Sequence, residues 1–217
     1  MEENSNALVL QNGTTISDCL QKVEAFCERD ASYRSYDLPT EVRRDNKLTE
    51  GDIRFANRMV ARMGQLVIDS LLSRASAIST ALSSIEPAAS LADVHIPWLA
   101  LEQLFTATLG PEVGPARATK ILHKKRPALI PILDSVVARY CQAICSGKPT
   151  GQTGAAMMVS YMRAIKADVD RNRSVLEAIG LATGLSIVRV FDILLWGYEY
   201  EHLGVPPVWL RSQVVEL

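Results

Sequence analysis

Apolar residues recur at intervals of three and four along almost the whole chain, and no segment alternates apolar and polar residues between turn residues. That period gives each segment one helical face and predicts an all-α protein of about eight to ten helices of ordinary length. Thr15 opens a predicted helix through Glu28, with Ile16, Leu20, Val23 and Phe26–Cys27 on one face. Thr49 followed by Asp52 reads as a capping arrangement for a helix with Ile53, Ala56, Met59–Val60 and Met63 inward, bent at Gly64 and continuing to Ser83. Pro97 starts a helix over Trp98–Thr108, Pro115 one to about Lys125, and Pro131 precedes one reaching about Cys145. Further helices are expected over roughly Gly154–Asn172, Ser174–Ala182 and Leu185–Tyr200, with Gly184 as a break. The polar stretch Tyr33–Asn46, which carries Arg43 and Arg44, reads as a loop or an arm.

A length of 217 residues suits one all-α domain over 1–217. Two lobes on a shared core also fit: about 14–108 with part of the C-terminal helices, and about 109–146. Lys and Arg number 23 against 24 Asp and Glu, a net charge of −1, so any nucleic-acid contact must come from a local patch. The acidic start Met1-Glu2-Glu3 lacks the basic and apolar parts of a secretory signal. The apolar stretch Ser174–Tyr200 is interrupted by Glu177, Arg189 and Asp192, which predicts buried helices rather than a membrane span. Cys19, Cys27, Cys141 and Cys145 are too few and too widely spaced for a disulfide scaffold, and their spacing is not that of zinc ligands. Reduced thiols, a cytoplasmic location, no metal, no cofactor and no membrane partner are the expectations. No P-loop, dinucleotide fingerprint or nucleophile elbow is present.

The informative segment runs from Leu109 to Tyr140, LGPEVGPARATKILHKKRPALIPILDSVVARY. Gly110-Pro111-Glu112-Val113-Gly114-Pro115 predicts a tight turn between two helices, with Gly114 free to take positive φ. The amides at the start of the following helix can hold a phosphate oxygen. From Val113 to Leu133 there is no acid, while Arg117, Lys120, Lys124, Lys125 and Arg126 are basic. Arg117, Lys120 and Lys124 share one side of a helix, with Ala118, Ile121 and Leu122 facing inward. The first acid after this run is Asp134, at the start of the next helix. Taken singly, each feature also has an ordinary structural meaning: a connecting turn, a solvated face, an N-cap.

Together they resemble the helix-hairpin-helix DNA glycosylase superfamily, with Gly110–Gly114 at the hairpin and Leu133-Asp134-Ser135-Val136-Val137 at the aspartate segment. In bifunctional members a lysine stands two residues after the last hairpin glycine, and the aspartate lies eighteen residues beyond it; Ala116 and Asp134 reproduce that spacing. Arg139 matches a basic residue common in the family. The resemblance covers about 30 of the 217 residues. Glu112 replaces the first hairpin glycine, Ala116 removes the nucleophilic amine and with it the β-lyase reaction, and the four-cysteine cluster loop of some members is absent.

The resemblance implies a two-lobed helical glycosylase-like fold and a monofunctional base-excision N-glycosylase acting on double-stranded DNA. Asp134 would stabilise an oxocarbenium-like transition state or activate water. Gly114, Arg117, Lys120, Lys124, Lys125 and Arg139 would hold phosphates, and Trp98, Asn57 and Tyr36 are the candidates for a pocket receiving a flipped base. Two alternatives stand beside it: a catalytically silent helix-hairpin-helix module that binds DNA or protein, and an all-α interaction protein of unrelated origin. An active site would put the Asp134 carboxylate at the mouth of a cleft on the Arg117/Lys120 side. In a silent module it would cap its helix through the amides of Val136 or Val137, with no cavity in front.

Overall fold

A computed structural model describes residues 6–31, 33–38, 45–146 and 154–202. The described residues are mainly helical, as the period predicts: α1 Cys19–Arg29, α2 Glu50–Ala56, α3 Gln65–Ser73, α4 Ala75–Ser83, α5 Trp98–Thr108, α6 Pro115–Lys125, α7 Ser135–Cys145, α8 Gly154–Arg171, α9 Arg173–Thr183 and α10 Ile187–His202. One apolar cluster draws on all ten, from Ile53 of α2 to Leu195 of α10. It therefore runs through both segments that the sequence offers as lobes. Helix α5 packs against α4 and α8, α6 against α2, and α10 against α1, α7 and α9.

Three expectations change. The segment before α1 is a two-stranded antiparallel hairpin, β1 Leu8–Val9 and β2 Thr15–Ile16, so the helix starts at Cys19 and not at Thr15. Asn172 holds the hairpin, accepting the Val9 amide at 2.8 Å and donating to the Val9 carbonyl at 3.0 Å. Asp168 accepts the Gln11 amide at 2.8 Å and the Tyr140 hydroxyl at 2.6 Å. Within the expected loop, Tyr33–Asp37 form a π-helical turn with Tyr36 buried; Arg43 and Arg44 lie outside the described residues. The third change is in the helix that opens at Thr49. Thr49 and Asp52 form the expected reciprocal cap, but the helix ends at Ala56, a 3₁₀ turn follows over Asn57–Met59, and α3 begins only after Gly64. Val60 and Arg62 there take left-handed φ of 54° and 51°, which side chains other than glycine adopt at some cost. Asn57 stabilises that break: its side chain accepts the Met63 amide at 2.7 Å and donates to the Met63 carbonyl at 3.0 Å.

The hairpin between α5 and α6 is a closed turn in which Gly110 and Val113 exchange backbone hydrogen bonds at 3.2 and 3.0 Å. Gly114 is extended at φ −78°, not left-handed. The glycine with a steric task is Gly110, where a Cβ would stand 3.0 Å from Arg74 Nη1. Arg74 needs that space because Nη1 donates to the Thr108 and Leu109 carbonyls at 2.9 and 2.7 Å, satisfying the C-terminal end of α5.

Among the described residues no single helix is long and apolar enough to cross a membrane; α9 and α10 reach that length and composition only as a pair bent by 101°.

Candidate functional site

The basic run of α6 does structural work before any other. Arg117 donates to three carbonyls, those of Glu112 at 2.7 Å, Arg62 at 3.1 Å and Ala61 at 3.2 Å. Lys120 Nζ donates to the Met59 carbonyl at 2.8 Å, and Lys124 Nζ to the Tyr36 carbonyl at 2.8 Å. Thus α6 uses its cations to satisfy the irregular backbone at residues 59–62 and the end of the π-turn. Lys125 is 1% exposed and pairs with Asp52 at 2.8 Å and Asp45 at 3.1 Å. It has no surface to offer a phosphate, which corrects its expected role. Arg126 is also buried, donating to the Leu82 and Ile85 carbonyls at the end of α4. Gly114 and Arg139 are the exposed members of the expected phosphate set.

Asp134 stands where two helices fix the loop that carries it. Thr119 of α6 accepts the Leu133 amide at 3.0 Å, and Asp192 of α10 accepts the Ile132 amide at 2.9 Å. His123 of α6 bonds the Ile130 carbonyl through Nδ1 at 2.7 Å. The carboxylate then caps α7, its Oδ1 accepting the amides of Val136 at 2.9 Å and Val137 at 3.0 Å. Oδ2 accepts no hydrogen bond among the described residues.

In front of Asp134 is a cavity of about 610 Å³, within the size range of small-molecule sites. From α1 it takes Phe26, from the C-terminal cap of α1 Asp30, and from the irregular turn Met59, Val60 and Arg62. Helix α6 contributes Ala116 and Lys120, and the loop with the start of α7 contributes Ile132, Asp134, Ser135 and Val137. The far wall is α10: Arg189, Asp192, Ile193, Trp196 and Tyr200. Trp196 and Tyr200, one turn apart, hold their rings 4.4 Å apart at an angle of 44°. Asp134 therefore caps its helix, as expected of a silent module, but also lines a cavity on the Lys120 side, as expected of an active site.

The electrostatics follow from burial. Burial lowers the Lys120 pKa, with the Asp134 charge opposing the shift. Asp192 is pushed well above the usual aspartate range, first by burial, while Arg189 and the Ile132 amide oppose. Burial works against the charge on Arg189, but Asp37 foremost, with Asp192 and Tyr36, together raise its pKa.

The expected base-pocket residues stand elsewhere. Trp98 lies beneath the Arg163 guanidinium, 4.4 Å from its ring centroid, and does not line the cavity. Asn57 has its amide engaged with Met63. Tyr36 is fully buried, donating its hydroxyl to the Lys120 carbonyl at 2.6 Å in a small cluster with Phe55 and Ile132. The residues that sequence reasoning passed over are Arg189, Asp192, Trp196 and Tyr200. Their signal was a pair of opposite charges three apart inside an otherwise apolar helix, followed by aromatics at helical spacing. No group of three or more His, Cys, Asp or Glu able to hold a metal occurs among the described residues.

The architecture defined so far is an all-α domain with a cavity walled by α1, the irregular turn before α3, α6, the start of α7 and α10. The model of a family of unknown function, DUF6308, matches residues 21–199, and the chain belongs to that family. No curated protein and no solved structure matches it. The matched span runs from α1 into α10 and contains every cavity residue named above except Tyr200.

Proposed function

We propose that the chain is a DNA-binding protein of helix-hairpin-helix glycosylase type, and that its cavity receives a base flipped out of duplex DNA for hydrolysis of the N-glycosidic bond. The observation that carries the reading is that Asp134, Lys120 and Ala116 share one cavity, although Asp134 is eighteen residues from Ala116. Asp134 lines the cavity, and its Oδ2 is not used in the helix cap. An ionised carboxylate there stabilises positive charge on the sugar as the base departs, or orients the water that attacks the sugar carbon. Aromatic rings of Trp196 and Tyr200 supply flat apolar surface for the base. Ala116 offers no amine, so the reaction ends at hydrolysis without a covalent sugar–enzyme adduct. Arg139 and the start of α6 at Gly114 are the duplex contacts.

A second reading, a silent module of the same kind, draws on the commitment of Arg117, Lys124 and Lys125 to protein groups and on exposed Glu112 in the hairpin. The two separate on one experiment: duplex oligonucleotides carrying a panel of damaged and mismatched bases, with wild type beside Asp134→Asn. Base release lost in the variant while binding persists supports the enzyme. Salt-sensitive binding without release on any substrate supports the module.

A further inference from the structure

The cations that line the cavity are Arg62, Lys120 and Arg189. Arg189 is committed to the protein, with Nε and Nη2 on the two oxygens of Asp37. Lys120 is committed as well, its Nζ donating to the Met59 carbonyl at 2.8 Å. Arg62 is exposed, and its guanidinium has no hydrogen bond or ion pair among the described residues. The backbone that carries it is strained. Arg62 takes a left-handed φ of 51° and Val60 one of 54°, a conformation costly for side chains other than glycine and most of all for a β-branched one. Side-chain hydrogen bonds from α6 and from Asn57 hold the turn in that shape. Lys120 donates to the Met59 carbonyl, Arg117 to those of Ala61 and Arg62, and Asn57 engages both backbone groups of Met63. The result is an alternation: Ala61 and Met63 are buried, while Val60 and Arg62 are exposed and line the cavity. Strain of this kind persists only where its surroundings over-determine it, and it clusters where ligands are gripped.

We propose that Arg62 holds the phosphate of the nucleotide seated in this cavity: its guanidinium binds the phosphodiester flanking that nucleotide and so positions the sugar at Asp134. The identity of the ligand as a nucleotide of duplex DNA rests on the proposed function. The Asp134 carboxylate repels a phosphate brought into the same cavity, and a cation on the opposite wall offsets that repulsion. Arg62 is the lining cation whose charge is not already spent on the protein. Its planar fork can donate to two phosphate oxygens at once, which a lysine ammonium does less well. The role differs from that of Arg117 and Lys124, which satisfy backbone carbonyls. It also differs from that of Arg139, which does not line the cavity. Arg62 acts on where the substrate sits and not on the bond that breaks, so it is a positioning residue.

The test pairs a change in the protein with a change in the DNA. Arg62→Asn removes the charge and keeps a residue that tolerates left-handed φ, so the full chain is expected to hold or exceed the wild-type urea midpoint. Arg62→Lys keeps the charge without the fork. The probe is a duplex with a tetrahydrofuran abasic analogue, made either with ordinary phosphates or with uncharged methylphosphonates flanking the analogue. Affinity is read by fluorescence anisotropy across a salt series. Wild type is expected to bind about tenfold more weakly when the flanking phosphates are neutralised. Arg62→Asn is expected to bind the ordinary duplex about tenfold more weakly than wild type, with a salt slope smaller by about 0.9, and to lose nothing more on neutralisation. Arg62→Lys is expected to fall between the two and to keep the wild-type slope. Equal losses on neutralisation in wild type and Arg62→Asn overturn the role of Arg62 and leave duplex binding standing. No duplex binding by wild type at low salt overturns the proposed function and this assignment with it.

Discussion

Arg189 and Asp37 meet as a two-pronged pair, Nε to Oδ1 at 2.9 Å and Nη2 to Oδ2 at 3.0 Å, with side chains 8% and 2% exposed. The pair ties the π-turn to α10, and its arginine forms part of the cavity wall. Such a fork matches guanidinium to carboxylate geometry better than a lysine could. Removing one partner leaves a buried, unpaired charge. Asp37→Asn is therefore expected to cost about 3–5 kcal/mol in urea unfolding. Replacing both, with Arg189→Met and Asp37→Leu together, is expected to cost less than the two single changes added. Additive losses would contradict a coupled pair.

Lys125 and Arg139 separate fold from function. Lys125 joins α6 to the cap of α2 through Asp52, so Lys125→Met is expected to destabilise by about 3 kcal/mol or more. Arg139→Ala, on an exposed face of α7, is expected to leave stability within about 0.5 kcal/mol. It should lower duplex affinity uniformly across sequences and reduce the salt dependence by about one phosphate contact. Unchanged binding in Arg139→Ala would remove it from the interface.

Asp192 makes stability depend on pH in a direction opposite to that of a salt-bridged carboxylate. The unfolded chain releases this proton near the usual aspartate value of 3.8, whereas the folded chain holds it to a higher pH. The group's contribution to stability is thus full below 3.8 and is lost as pH rises towards the raised value. Asp192→Asn carries no such loss. Its stability relative to wild type is expected to rise from acid to neutral pH in urea titrations, and parallel curves would contradict it.

The corner between α9 and α10 sets the position of the cavity's far wall. A Cβ on Gly180 would stand 2.9 Å from the Leu185 carbonyl oxygen, and Gly184 ends α9 at φ +73°. Gly180→Ala is expected to cost about 1–3 kcal/mol by forcing that backbone apart, and Gly184→Ala about 1 kcal/mol through its left-handed backbone. Denaturation midpoints at unchanged slope check both.

The helices that the sequence makes legible are those with a proline or a capping pair at the start and an uninterrupted apolar face: α5 and α6 fall where Pro97 and Pro115 put them. Where the signal was short, the period misled. Leu8 and Leu10 are buried around exposed Val9 and the Asn12-Gly13 turn, a hairpin too brief to break the helical pattern from Ile16 onwards. Asp134 was legible because its spacing from the hairpin is local along the chain. Its cavity was not, because the opposite wall comes from α10, more than fifty residues away, and no local pattern says which face of a buried helix meets a void. The cations of α6 were readable as a patch by spacing alone. That they satisfy the carbonyls of Met59, Arg62 and Tyr36 depends on the unwound backbone between α2 and α3, which the Met59–Met63 apolar spacing disguises as helix.

The most direct test of the central claim is base release from duplex oligonucleotides carrying a panel of lesions, measured for wild type and Asp134→Asn with duplex affinity recorded for both. Asp134→Asn keeps a side-chain oxygen for the amides of Val136 and Val137, so the start of α7 remains capped. The account expects release of at least one base by the wild type, loss of release by at least about a hundredfold in the variant, and duplex affinity within a few-fold of wild type. Absence of duplex binding at low salt, or release that persists unchanged in Asp134→Asn, would contradict it.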